Sequence, residues 1–82
     1  LENKVAMISI AITDRKNSYL QVNEILHNFR EKINLRVGYP MTEKNVAIIF
    51  IIFEGTTDEI GALNGKLGQL NGVKVKSHTL KI

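Results

Sequence analysis

The run VAIIFIIF, Val46 to Phe53, contains no polar residue, and it constrains the fold of this chain more than any other stretch. It is far shorter than the roughly 20 residues an apolar helix needs to cross a bilayer, and its β-branched and aromatic content suits a strand. A strand that is apolar on both sides is either buried on both faces or shows water a continuous apolar patch. If helices of the same chain cover one side of its sheet, the other side needs another subunit. The expectation is a homo-oligomer, a dimer or a tetramer.

The flanking elements supply the rest of the sheet and its cover. In KVAMISIAIT, Lys4 to Thr13, Ile8, Ile10 and Ile12 alternate with Ser9, Ala11 and Thr13, the period of a strand with one strongly apolar face. After the polar break Asp14 to Asn17, Ser18 and Gln21 have the spacing of a capping box. The helix that follows carries Val22, Ile25, Leu26, Phe29 and Ile33 on one face, and the reading ends it near Asn34. LRVGYP, Leu35 to Pro40, reads as a short extended segment stopped by the proline, and MTEKN as the loop of a hairpin leading into Val46.

Thr56 and Glu59 form a second capping-box pattern, Ile60, Leu63, Leu67 and Leu70 make an inward stripe, and Asn71-Gly72 is a helix stop. VKVKSHTLKI closes the chain as a fourth strand. The order strand, helix, strand, strand, helix, strand is the ferredoxin-like βαββαβ split unit. The expected architecture is an α+β sandwich, a four-stranded antiparallel sheet with two helices on one face. Residues 1–82 are read as one domain, since a chain of this size folds around one core.

Within the second helix, Gly61, Gly65 and Gly68 lie on one narrow stripe away from the leucines at about 100 degrees per residue. Each costs on the order of 1 kcal/mol against alanine in a helix interior. A glycine stripe lets another backbone or a ligand come close, either within the chain, against the first helix, or between subunits or at a ligand. Both readings stay open at this level. Asn64, between the glycine and leucine stripes, is a candidate for ligand contact, with a backbone cap as the structural alternative.

Arg36 precedes Gly38 in the extended segment, where its guanidinium can fork onto a carboxylate or phosphate; a salt bridge to Glu43, Glu54 or a neighbouring subunit is the commoner use. Tyr39-Pro40 shapes the strand end, and Asp14 is expected to stabilise the turn after the first strand. Arg36, Gly38, Gly61, Asn64, Gly65 and Gly68 are the ligand-binding or interface candidates. His27 and His78 are the only histidines and make a poor metal site, so no metal and no cofactor are expected.

Composition narrows the function classes. The chain has 44% hydrophobic and 23% charged residues, ordinary for a folded domain. Its net charge of +3 comes from scattered lysines with a loose basic tail at Lys74, Lys76 and Lys81, a weak footprint for nucleic acid. There is no cysteine, hence no disulfide and no thiol nucleophile. No catalytic triad pattern or phosphate loop is present, which argues against an enzyme. LENKVAMISI lacks the features of a secretory leader, and the cytoplasm is the expected location, with no membrane association.

Taken together, NSYLQVNEILHNF, LRVGYP, VAIIF and IGALNGKLGQLNGVKVK resemble the family of iron-only hydrogenase system regulators over almost the whole chain. The most specific pieces are Arg36-Val37-Gly38-Tyr39-Pro40 and the stretch from Ile60 to Lys76. The resemblance implies an ACT-like regulatory fold, similar also to the effector-binding half of nickel-responsive repressors, and no particular ligand; the expectation is a small effector bound at a subunit interface and coupled to the iron-only hydrogenase system, with a protein partner as well. It implies no catalytic residues. Typical amino-acid-binding ACT domains carry D-x-P-G after the first strand, where this chain has Asp14-Arg15-Lys16-Asn17. The chain also lacks a helix-turn-helix or ribbon-helix-helix segment to enter DNA, so a transcriptional effect is expected to pass through a partner protein. The alternative reading is a ligand-free assembly protein that docks a hydrogenase maturation or signalling partner.

Overall fold

The computed structural model describes residues 3–81. Strands β1 (Lys4–Ile12), β2 (Ile33–Met41), β3 (Val46–Gly55) and β4 (Val73–Leu80) form one sheet in the order β2-β3-β1-β4, and every neighbouring pair is antiparallel. Helices α1 (Arg15–Asn28) and α2 (Thr57–Gly68) connect them in the βαββαβ order, as the sequence predicts. Among the described residues no helix is long and apolar enough to cross a membrane.

The core lies between the helices and one face of the sheet. Ala6, Ile8, Ile10 and Ile12 of β1 and Ala47, Ile49, Ile51 and Phe53 of β3 are buried there against Val22, Leu26, Ile60, Leu63 and Leu67. The inward stripes expected of both helices are therefore in place, with Ile25, Phe29, Ile33 and Leu70 packed partly buried at the margin.

Helix α2 begins as its local sequence dictates. The Thr56 Oγ1 accepts from the Glu59 N–H at 3.2 Å, and a Glu59 carboxylate oxygen accepts from the Thr56 N–H at 2.8 Å, so the box closes in both directions. Helix α1 departs from expectation at both ends. It starts one turn early, with Asp14 as the N-cap residue, and Ser18 lies buried inside it. The Ser18 hydroxyl donates to the Asn71 carbonyl at 2.7 Å, so a long-range tie replaces the expected cap. The helix also stops at Asn28, and after a 3₁₀ turn at Arg30–Lys32 the chain is already in β2 by Ile33. Helix α2 similarly ends at Gly68, short of Asn71-Gly72.

β2 runs through Pro40 to Met41 instead of stopping at the proline. It is an edge strand, where a residue without an N–H costs no ladder bond if it faces outward.

Candidate functional site

Residues directly opposed across an antiparallel pair point to the same side of the sheet, so the register defines the face the helices leave uncovered. β3 contributes Ile48, Phe50 and Ile52, opposed on one side by Tyr39, Val37 and Leu35 of β2 and on the other by Ala11, Ser9 and Met7 of β1. Tyr39 is 63% exposed, Val37 52% and Ile48 40%. The second apolar side of VAIIFIIF thus faces out, in the middle of a field three strands wide that is apolar but for Ser9. β4 bounds it with Lys74, Lys76 and His78, opposite Ala11, Ser9 and Met7.

The three glycines of α2 are exposed. Among the described residues, a Cβ built at Gly61, Gly65 or Gly68 would meet nothing within 4 Å, so close packing between the described elements does not explain them. Alanine at Gly65 is therefore expected to stabilise the folded chain by about 0.5–1 kcal/mol through helix propensity, read as a raised urea midpoint. A lowered midpoint, or weakened assembly, would mean that another molecule lies against the stripe. Beside it, the Asn64 Oδ1 is buried with no hydrogen-bond donor among the described residues.

Arg36 and Gly38 sit on β2 and face α1, apart from the glycine stripe on α2. One Arg36 Nη donates to the Asn23 Oδ1 of α1. The expected salt bridge to Glu43 or Glu54 is absent: Glu54 instead accepts from the Asn34 amide at 3.0 Å, and the ion pair among the described residues is Lys32 with Glu59, at 3.4 Å. Gly38 opens a small cleft of about 240 Å³ beside Arg15, Tyr19 and Pro40, with the Arg15 guanidinium 4.9 Å from the Tyr19 ring centroid. His27 lies on α1 and His78 on the opposite side of the sheet. Among the described residues no group of three or more His or carboxylate side chains is placed to hold a metal ion.

At the end of the sheet where β1 runs into α1, three loops are tied together by Thr13, Asp14 and Asn45. The Asp14 carboxylate accepts from the Asn17 amide at 2.8 Å and the Asn45 amide at 3.0 Å. The Asn45 Oδ1 accepts from the Lys16 N–H at 2.9 Å, and its carbonyl accepts from the Arg15 N–H at the same distance. Asn45 adopts φ 56°, a left-handed conformation that asparagine tolerates better than most residues. Thr13 adds the third loop, its N–H and hydroxyl both donating to the Gly72 carbonyl. Gly72 has φ 71°, and a Cβ there would stand 3.1 Å from the Thr13 hydroxyl. Asp14 is the turn-stabilising residue the sequence suggests; Asn45 was missed, though an asparagine at the tip of a hairpin is itself a turn signal.

The amide donors from Asn17 and Asn45 hold the Asp14 carboxyl below its ordinary value of 3.8. The group binds protons less readily folded than unfolded, so its contribution to stability is present above the unfolded value and is lost as pH falls through the folded one. Glu59, held below 4.5 chiefly by the Thr56 N–H, acts in the same direction. Between about pH 5 and pH 3 stability should therefore fall, and Asp14→Asn should lose less over that window than the unsubstituted protein in urea titrations. Equal slopes for the two would contradict this role of the loop tie.

No curated protein matches the chain. The solved structure of the uncharacterized protein TM1266 from Thermotoga maritima is 54% identical, covering 98% of this chain and all of that one, and superimposes with a TM-score of 0.91. A family model matches residues 4–77, spanning both helices and nearly all of the sheet. The chain belongs to the TM1266-like family, whose description reads "Iron-only hydrogenase system regulator, putative".

Proposed function

We propose that this chain is a cytoplasmic regulatory module of ACT-like type that assembles through the open face of its sheet, senses a small effector on its helix side, and couples it to the expression or maturation of iron-only hydrogenase. The family description supports the regulatory role and its target system. The observation that carries the assembly is the open face: the adjacent strands β2 and β3 turn Leu35, Val37, Tyr39, Ile48, Phe50 and Ile52 outward, and a contiguous exposed apolar patch of this kind marks an interaction surface. A second copy is the occupant proposed, because the same patch on each subunit makes a two-fold pairing self-complementary.

Coupling would follow from differential affinity: an effector that binds one assembly state more tightly shifts the population towards it. Arg36, Gly38, Asn64 and the stripe Gly61, Gly65 and Gly68 are the proposed contacts. The unpaired Asn64 acceptor is a group that a donor from outside the chain would satisfy. No catalytic step is part of this role.

Native mass spectrometry of the protein, isolated gently from its own cells, tests the sensing step. An assembly carrying a stoichiometric small mass is the expected spectrum. An assembly with no extra mass would contradict effector sensing and favour a scaffold that docks a maturation partner by hydrophobic burial.

A further inference from the structure

On the helix side of the sheet, between α1 and β2, runs an open groove of about 540 Å³. Its apolar lining comes from Leu26, Ile33 and Leu20, the last 81% exposed at the lip. Its polar lining carries two guanidinium groups, Arg30 and Arg36, with Glu24, Asn23 and His27 beside them. Each arginine is held by a neutral acceptor. Arg30 Nη1 donates to the His27 carbonyl at 2.9 Å and lies 3.3 Å from the His27 Nε2, and Arg36 donates to the Asn23 Oδ1. Neither is within ion-pair distance of a carboxylate among the described residues, Glu24 included.

A guanidinium has five N–H donors in a fixed fork, so these single contacts orient each group while leaving most of its donors free. Charge-assisted, forked bonds to a carboxylate or phosphate are the strongest use of such donors. The groove volume lies in the range of small-molecule sites, which combine apolar walls with a few placed polar groups. We infer that the α1–β2 groove binds a small organic anion, its carboxylate or phosphate on Arg30 and Arg36 and its apolar body against Leu20, Leu26 and Ile33. This names a ligand class for the effector and rests on the effector reading of Arg36. Assembly through the open face is independent of it, since the groove lies on the other side of the sheet.

The test is an amide-resolved NMR titration with three probes: hexanoate, phenyl phosphate and the neutral hexan-1-ol. Saturable shifts confined to residues 20–30 and 33–36, from either anion but not from the alcohol, are expected. Arg36→Gln should weaken that binding about ten-fold, as loss of a charged hydrogen-bond partner does, and Arg30→Gln with Arg36→Gln should abolish it. The amide spectrum of each variant reports directly that it is folded. Absence of saturation with both anions, equal shifts from hexan-1-ol, or undiminished binding by the double variant would each overturn the assignment. None of these outcomes alters the subunit count, so a failed groove and a failed assembly are told apart.

Discussion

Replacing Ile48 by aspartate is expected to turn the assembled protein into a folded monomer. Ile48 points outward from β3, between Tyr39 of β2 and Ala11 of β1, and is 40% exposed in the single chain. A carboxylate there meets water and leaves the core between sheet and helices untouched, at a cost in strand propensity of about 1 kcal/mol or less. At a self-complementary interface the same carboxylate would be buried in an apolar field, with its symmetry mate on the same surface. Desolvation and like-charge repulsion together cost several kcal/mol, and about 4 kcal/mol is a thousand-fold in association. An assembly of unchanged affinity would show that the face is not the one covered.

Phe53→Ala tests the other side of the same strand. Phe53 is the largest fully buried side chain, with its ring centroid 6.0 Å from that of Phe29 at a tilt of 60°. Truncating a buried phenylalanine removes its transfer free energy and leaves a cavity, about 3–5 kcal/mol in all. A chain of this length has roughly 4–12 kcal/mol to lose, at the usual stability per residue. The variant should therefore unfold at a urea midpoint lower by about 3 M, for a small-protein slope near 1 kcal/mol/M, or fail to fold. Both proteins must be compared at one concentration, because assembly adds to apparent stability. A change under about 1 kcal/mol would mean that the ring does not fill the core. Two residues of one apolar run are thus expected to have separate consequences, one substitution separating subunits and the other unfolding the chain.

The features that were legible in the sequence are those decided within a few residues. Alternation in β1 and the leucine stripe of α2 fixed the buried faces, because side-chain direction follows from the backbone period alone. Thr56 and Glu59 close a box three residues wide, so spacing was sufficient. Ser18 has the same spacing to Gln21, yet its hydroxyl is taken by the Asn71 carbonyl, 53 residues away; a long-range acceptor outcompeted the local cap. Within the chain Arg36 bonds Asn23 and neither Glu43 nor Glu54, a contact that exists only once α1 lies beside β2. The Asp14–Asn45 tie and the α1–β2 groove arise in the same way, from loops and elements that only the tertiary fold brings together. The glycine stripe shows the opposite limit: its spacing is visible in the sequence, but only the tertiary fold shows that no described residue comes within 4 Å of a Cβ built on it.

The central claim, that the open face of the sheet is covered by a second copy of this chain, is tested most directly by sedimentation velocity of the unsubstituted protein over a range of concentrations, with Ile48→Asp run alongside. The account predicts that the protein sediments as a dimer or larger closed assembly and that the variant sediments as a folded 9.2 kDa monomer. A protein that stays monomeric throughout, with Val37, Tyr39, Ile48 and Phe50 left in water, would contradict it.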